Sequence, residues 1–514
     1  MVETNQGCLS FPERKSGVSQ SATWVLWILG TTVGIAGCQQ YQRRPLDLEA
    51  HTAAWKARDV SAEPVADYAH RLMGTDTKQA EQFDPSDGLS LDEAEAVALY
   101  FNPALRVARL QAKVPLVGAQ ESGWWDDPQL EVEILRIVNR GRGDRWNPQL
   151  PALEGVNAGG LDIRPLGINR VEGDRVAKPW VIGVGLGLTV PLSGRLEIEK
   201  QKAWAEYDTA WRQVAVQEWE LLATLRARWL EWSATKERIG LTQQYLDRLD
   251  HVLGIAEKLA ESGELKPTDA RVFRIEQVSR QSEVRTLEAE ANQQRLALMA
   301  ILGLVPDAPL ELEPELIVPM VDVAPEHRRD VLLAHHPRLH TARAEYEVAE
   351  QHLHLQIRKQ YPDVTIGPAY EFEEGLSRLG FGLGMPIPLW NRNRQGIAEA
   401  LAARDLAQAQ AQVTYEVVVD QLAQAEARLA SARHRRQMLQ KDVAPLVDRQ
   451  LTETRNLIEL GEIDVLLLRD ALTRSLETKL KIVDVTLAEA LAANGLRSAL
   501  QPRHLAEAEI EENE

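Results

Sequence analysis

Residues 180–202, WVIGVGLGLTVPLSGRLEIEKQK, alternate large apolar side chains with glycine and then pass through a proline into a charged run. Successive side chains of a strand point to opposite faces, so one face here is apolar and the other is nearly bare. Residues 379–401, LGFGLGMPIPLWNRNRQGIAEAL, have the same pattern of alternating glycine and large apolar residues followed by proline and a polar run. Strands of about 9–11 residues with one lipid-like face are typical of transmembrane barrels. A soluble sheet with one buried face explains a single such strand, but two that feed long helices favour a barrel.

The run that follows the first strand predicts an exceptionally long helix. Between Arg195 and Ser262 there is no proline and there are two glycines, which predicts one helix roughly 100 Å long. Ser262 and Gly263 break it, and Pro267 suits the first turn of a return helix. Two shorter helices placed end to end would match the long one, which predicts a long antiparallel coiled-coil α-barrel in a mainly α protein.

The chain contains an internal repeat. Asn102-Pro103 and His336-Pro337 lie 234 positions apart, whereas Pro191 and Pro388 lie 197 apart. The difference falls in residues 139–179, a segment rich in glycine, asparagine and proline that predicts a loop in the first copy. We therefore predict a first structural repeat at 89–305, a proline-rich linker at 306–325 and a second repeat at 326–500, followed by an acidic tail at 501–514.

Each repeat is predicted to contain a helix, two strands, a long helix and a return helix. The first has these at 90–122, 129–137, 180–190, 195–262 and 267–302, and the second at 326–360, 363–373, 379–387, 394–460 and 464–493.

Four strands per chain cannot close a barrel, and open sheet edges are not tolerated in lipid. Bacterial barrels begin at eight strands and use even numbers, so two chains would give eight strands and three would give twelve. Aromatic side chains are typical of membrane interfaces, and the predicted strand ends carry several. These candidate anchors are Trp124, Trp125, Tyr361 and Trp390 at one end and Trp180 at the other.

The first 37 residues are typical of an export signal, with Arg14 and Lys15 preceding an apolar run at 22–37. The run ends in Ile-Ala-Gly before Cys38, which resembles the bacterial lipoprotein signal, in which the cysteine is lipidated. An ordinary core cysteine behind a signal anchor is the alternative. The polar segment 38–88 is predicted to be an N-terminal tether. The other cysteine, Cys8, lies in the removed part, so no disulfide is expected.

Composition and motifs argue against several functions. The net charge of −18 argues against a nucleic-acid partner. The sequence has no P-loop, nucleophile elbow, HExxH or paired-cysteine site, so we predict no enzyme activity and no cofactor. His336 and His340 have a helical spacing that can share a metal, but no carboxylate or cysteine pattern accompanies them. We therefore interpret the histidines as solvated or structural and predict no metal site.

Taken together, residues 90–495 resemble the outer-membrane factor family, the TolC-like channels of bacterial efflux and secretion systems. The resemblance implies a homotrimer with a twelve-stranded barrel in the outer-membrane lipid and a helical tunnel through the periplasm. It also implies two partners, a periplasmic adaptor (membrane fusion) protein and an inner-membrane transporter. Residues 386–396, PIPLWNRNRQG, resemble the heavy-metal (CzcC-like) branch.

The two helix turns resemble the periplasmic tips of that family. After the tip glycine the family often carries acidic residues six and nine positions on. Here Asp470 follows Gly461 by nine, but the sixth position is Leu467, and Asp269 is six after Gly263. The resemblance implies Asp470 and Asp269 as pore or gate candidates and leaves one or two acidic rings open. It implies adaptor docking at the turns, at Gly263, Glu264, Leu265, Gly461, Glu462 and Ile463.

The expected function is a passive exit duct in a lipid-anchored outer-membrane protein that extends into the periplasm. Metal cations and drugs are both open as cargo, because such a duct receives what the transporter has selected. The alternative is a periplasmic coiled-coil adaptor or scaffold lipoprotein without a pore. Strands of bilayer length with one lipid-like face favour the channel, since an adaptor has no use for them.

Overall fold

The computed structural model describes residues 41–73, 83–136, 180–320, 323–373, 376–459 and 465–500. The chain divides into two units, residues 1–57 and 58–514. In the described part of the first unit, helix α1 spans Leu48–Lys56 and is capped by Asp47, whose side chain accepts a hydrogen bond from the amide of Ala50 at 2.9 Å.

The second unit is mainly helical and carries one four-stranded sheet. Its helices and strands, in chain order, are α2 Glu63–Met73, α3 Leu91–Phe101, α4 Pro103–Gln120, β1 Gln129–Arg136, β2 Trp180–Val190, α5 Arg195–Glu261, α6 Pro267–Leu302, α7 Arg328–His335, α8 Pro337–Arg358, β3 Val364–Glu373, β4 Leu376–Gly384, α9 Arg394–Met438, α10 Ala444–Glu459 and α11 Val465–Leu500.

The 67-residue helix α5 is the centre of the helical packing. It contacts α3, α4 and α6 on one side and α8 and α11 on the other, and α9 then packs against α8 and α11. The second half of the chain is therefore laid beside the first, with α4 and α6 at one border and α9 at the other. Near its start α4 also meets α2, where Arg109 donates to the Tyr68 hydroxyl at 3.3 Å. Farther along, α4 and α9 both leave large apolar side chains exposed.

The sheet is antiparallel throughout, in the order β1-β2-β3-β4. Its register aligns apolar side chains across the strands, as in the row Val132, Val184 and Tyr370. The ladder between β2 and β3 is interrupted at Gly367 and Pro368, where proline has no amide proton to donate. Strands β1 and β4 are left as the two edges.

Two helices predicted as continuous are each broken. The structure divides 90–122 into α3 and α4 at Asn102, and 326–360 into α7 and α8 at His336. Each breaking residue precedes a proline, which disfavours the helical conformation of the residue before it. Asn102 also stabilises the new start of α4, because its Oδ1 accepts from the amides of Ala104 and Leu105 at 2.9 and 3.1 Å.

Part of the predicted tether is built into the core. Within 38–88, α2 buries Val65 and Ala69, which are 1% and 0% exposed. The predicted linker is also fixed: Leu89 pairs with Leu312 as a parallel bridge, and the Trp229 Nε1 donates to the carbonyl of Glu313 at 3.1 Å. Apolar residues at helical spacing in α2 outweigh the polar composition of the surrounding segment.

The strand bounds agree with the predicted ones to within one residue except at β4. Residues 379–387 were predicted, whereas β4 spans Leu376–Gly384. Pro386 and Pro388 cannot donate to a ladder, so the apolar alternation through Met385 and Ile387 continues beyond the paired strand. The last helix is longer than predicted, because α11 reaches Leu500 rather than residue 493.

A π-helical turn at Leu439–Val443 joins α9 to α10. Before it, the buried Leu422 and Leu429 of the second half lie 197 positions after the buried Leu225 and Trp232. Beyond it, the buried pairs are 198 apart, as in Leu253 and Leu451. A π turn holds more residues than an α turn, so this one absorbs the extra residue and keeps the buried face of the helix continuous.

Among the described residues, no helix has the length and apolar character to cross a bilayer. The predicted signal with Cys38, the loop at 139–179, the second turn at Gly461, Glu462 and Ile463, and the tail at 501–514 lie outside the described residues.

Candidate channel wall and helix turns

One face of the sheet, here called the apolar face, presents large hydrophobic side chains that are exposed in the single chain. On the edge strands, Leu130 of β1 is 68% exposed and Phe381 and Leu383 of β4 are 70% and 72% exposed. Exposed apolar patches of this extent mark a lipid or protein contact surface. The strands of this face therefore have the chemistry of a bilayer-facing wall.

The opposite face, here called the glutamate face, carries small and acidic residues. Glu131 and Glu133 of β1 face Gly185 and Gly183 of β2 across the ladder. In the same row as Glu133, Glu371 of β3 stands opposite Arg378 of β4, with a carboxylate–guanidinium distance of 3.7 Å. This face is therefore suited to contact with water, and glutamates outnumber arginine among the side chains named here.

Arg195, at the start of α5, ties the helices to the sheet. Its guanidinium binds Asp126 before β1 at 2.8 Å, Asp363 before β3 at 2.9 Å and Glu199 of its own helix at 3.2 Å. Burial alone would lower the pKa of Arg195, but the three carboxylates raise it above its ordinary value. Sequence reasoning missed this junction because its partners are distant along the chain.

The candidate interface aromatics gather where the strands meet the helices. Trp124 and Trp125 precede β1, Tyr361 precedes β3 and Trp390 follows β4, and their exposures are 72%, 55%, 60% and 85%. Trp180 begins β2 opposite Arg136, at the other end of the sheet. The antiparallel topology therefore separates the five positions into the two groups predicted from the sequence.

The first helix turn is a compact reversal between α5 and α6. Gly263 takes φ +83°, a conformation that favours glycine. The amides of Glu264 and Leu265 donate to the carbonyl of Leu259 at 2.9 and 3.0 Å. Asp269 lies in the first turn of α6, where a carboxylate suits the positive end of the helix dipole.

The structure brings Asp470 to the same end of the molecule as Asp269. Their neighbours Ala270 and Ala471 belong to one hydrophobic cluster, together with Phe273 of α6. Asp470 forms an ion pair with Arg474, one turn further along α11, at 3.0 Å. Sequence reasoning missed this arginine partner of Asp470.

A polar network near these turns links three helices. The Tyr245 hydroxyl of α5 lies 2.9 Å from the Thr473 hydroxyl of α11 and 3.5 Å from a carboxylate oxygen of Glu276 on α6. Arg280 binds Glu276 at 2.8 Å and stacks on the Tyr245 ring. Burial raises the pKa of Tyr245, so its hydroxyl stays protonated and able to donate.

No metal centre is formed by the residues that the structure describes. No group of three or more His, Cys, Asp and Glu side chains in these residues could hold an ion. His336 is buried against Trp219, with ring centroids 5.2 Å apart, and the His340 Nε2 lies 2.8 Å from the carbonyl of Ala334. The His336 ring therefore packs on an indole, and the His340 ring is engaged in a local hydrogen bond.

Sequence comparison identifies the family of this architecture. The family model described as "Outer membrane efflux protein" matches residues 143–304 and 329–500, one segment in each half. The chain belongs to the outer membrane efflux protein family. The predicted family resemblance is confirmed, and the chain is a member of a channel family rather than an enzyme.

The chain is also similar to a curated relative whose name concerns resistance to heavy metals. The cobalt-zinc-cadmium resistance protein CzcC of Cupriavidus metallidurans is 23% identical over 252 residues. The match covers 49% of this chain and 60% of that relative, so it spans less than two thirds of the relative's length.

Solved structures of the same architecture agree on the fold. The CmeC outer membrane channel of Campylobacter jejuni has a TM-score of 0.62 at 10% identity and covers 98% of this chain and 97% of its own. CusC, whose structures concern the conformational changes that accompany folding and transmembrane channel formation, has a TM-score of 0.61 at 16% identity. The match covers 80% of this chain and 91% of the CusC chain. The predicted mainly helical fold with four strands per chain is confirmed at this level.

Proposed function

We propose that three copies of this chain form a channel through the bacterial outer membrane that continues into the periplasm as a passive exit duct. The observation that carries this proposal is the sheet, which has an apolar face, a glutamate face and two open edges. An isolated four-stranded sheet with open edges cannot remain in lipid. Within the chain β1 and β4 run in opposite directions, so β4 of one copy can continue into β1 of the next as an antiparallel pair. Three copies give the twelve strands that the family resemblance implies.

The helical borders support the same assembly. At one border α4 exposes Val107, Leu110, Val114 and Val117, which are 50%, 57%, 73% and 57% exposed. Their 3-4-3 spacing is that of a coiled-coil seam. At the other border α9 exposes Leu406 and Val413, seven residues apart and 59% and 55% exposed. Packing α4 of one copy against α9 of the next would bury both seams.

Cations are the cargo class that the wall favours. In a closed barrel the glutamate face would line the lumen, where rings of carboxylates attract cations and repel anions. The similarity to a cobalt-zinc-cadmium resistance protein points to divalent metal ions. A passive duct takes its energy from elsewhere, so we infer partnership with a periplasmic adaptor docked at the two helix turns and with an inner-membrane transporter.

The gate is proposed at the helix turns, with Asp470 as its acidic residue. Replacing Asp470 with alanine is expected to weaken block of the channel by multivalent cations, because three carboxylates near the mouth are lost. Single-channel conductance in planar bilayers measures this. Asp269→Ala, at the other gate candidate, is measured in parallel to show which of the two carboxylates sets the block. A wild type without cation preference would argue against the cation duct. Unchanged block in Asp470→Ala would place the gate elsewhere.

The membrane attachment is proposed at Cys38, after removal of the signal at 1–37. Three lipid-modified copies of the protein per channel would bind a membrane firmly, whereas a single acyl group binds only marginally. Cys38→Ser is expected to leave an unacylated precursor while the barrel still inserts through its strands. Mass spectrometry of the mature N-terminus measures this. An unmodified wild-type N-terminus at a residue other than Cys38 would contradict the lipoprotein.

A further inference from the structure

The two halves differ at the residue that breaks their first helix. In the first half, Asn102 is 6% exposed and fully used: it caps α4, and its Nδ2 donates to the carbonyl of Ile301 at 2.7 Å. Its counterpart in the second half is His336, which is 2% exposed. The His336 side chain makes no capping hydrogen bond to α8, and its Nδ1 has no hydrogen-bond partner among the described residues.

Two further buried polar atoms belong to the same junction of α5, α8 and α11. Asn494 and Ser498 lie one turn apart on α11, each 4% exposed, and Asn494 Oδ1 and Ser498 Oγ also lack partners among the described residues. Both residues contact α5, Asn494 through its side chain and Ser498 through its backbone carbonyl. The Asn494 Nδ2 donates to the carbonyl of Ala223 at 3.3 Å, and the carbonyl of Ser498 accepts from Trp219 Nε1 at 2.7 Å. The Trp219 ring packs in turn on His336.

Buried polar atoms without partners cost free energy, and three at one junction are unusual in a folded protein. Buried water typically makes about three hydrogen bonds to groups of this kind. We propose that the junction of His336, Asn494 and Ser498 is a buried water-binding site that depends on a neutral His336 ring. The water would join α8 to α11 where the first half uses the Asn102 side chain alone.

The surroundings of His336 favour its neutral form. Burial, followed by the nearby charges of Arg338 and His340 on α8, lowers the pKa of His336 to about 4. On α5, Glu220 is engaged by Arg338 at 2.6 Å, and α11 contributes the uncharged Asn494 and Ser498. Because folding lowers the pKa of His336, the contribution of its neutral ring to the stability of the fold is complete at any pH above the unfolded pKa of 6.5. That contribution is lost as the pH falls from 6.5 toward 4.

The test compares the assembled full-length protein with His336→Asn, which places the first-half residue in the second half. Between pH 8 and pH 5 the unfolding constant per chain of the wild type is expected to rise about 30-fold more than that of the variant, given folded and unfolded pKa values of about 4 and 6.5. Urea titrations in detergent measure it. His354→Asn, further along α8, is the matched control and should follow the wild type. Parallel pH profiles for wild type and His336→Asn would overturn the acid sensitivity.

A structural measurement tests the water directly, and it does not depend on channel activity. At neutral pH, density from a map finer than about 2 Å should show an ordered water within hydrogen-bond reach of His336 Nδ1 and at least one of the two α11 oxygens. Direct bonding of His336 Nδ1 to protein, or a dry junction, would overturn the site.

Discussion

Replacing Phe381 with arginine is expected to abolish recovery of the assembled channel from outer membranes. Phe381 is 70% exposed on the apolar face of β4, an edge strand. A lipid-facing arginine costs about 2–4 kcal/mol near the bilayer midplane, and the cost recurs in each copy. The measurement is the yield of membrane-extracted trimer on native gels.

The matched control for this substitution is Ala369→Arg, in β3. Ala369 stands in the row opposite Gly380, on the glutamate face, next to the row of Phe381. Arginine there would point into water, so its trimer yield should stay close to that of the wild type. Equal losses for both variants would show that the two faces do not separate lipid from lumen, and a soluble, stable Phe381→Arg monomer would reject the barrel.

The second large effect is expected from Gly367→Ala in β3. A Cβ added at Gly367 would overlap the carbonyl oxygen of Leu186 on β2, a backbone atom that cannot move without shifting the strand. The two strands would have to separate beside Pro368, where the ladder is already interrupted. We expect loss of heat-resistant trimer and of insertion.

Gly183→Ala provides the control for that prediction, because it makes the same chemical change on the neighbouring strand. A Cβ at Gly183 would lie 3.5 Å from the Cβ of Glu133, an ordinary van der Waals distance. This variant should assemble normally. Normal assembly of Gly367→Ala as well would mean that β2 and β3 are spaced more widely than the structure shows.

The features that could be predicted from the sequence are those fixed by local chemistry. Strand β2 has the predicted bounds because glycine alternates with large residues over its whole length and Pro191 ends it. Helix α6 has the predicted bounds because Pro267 suits a first turn and Gly303, at φ +71°, ends the helix. By contrast, the predicted bounds of β4 were wrong, because apolar alternation cannot show where proline stops the hydrogen-bond ladder.

The features that could not be predicted depend on distant contacts. Arg195 binds Asp126 and Asp363, which are 69 and 168 positions away, and no periodicity indicates such a meeting. The Arg474 partner of Asp470 was visible at a helical spacing but was overlooked. Pro103 and Pro337 mark the two helix breaks, but both helices were predicted as continuous. Helix α2 shows that a polar composition can conceal a short amphipathic helix.

The π turn at Leu439–Val443 bears on stoichiometry. The turn accommodates one extra residue in the second half. The helical hairpins α5–α6 and α10–α11 can therefore share one hydrophobic cluster near the helix turns, although their sequences differ in this region. A trimer would then present six hairpin ends of two kinds in alternation, divided by grooves that are pairwise similar but not identical. A partner that recognises one kind of groove could bind only three times per channel, whereas one that tolerates both could bind six times.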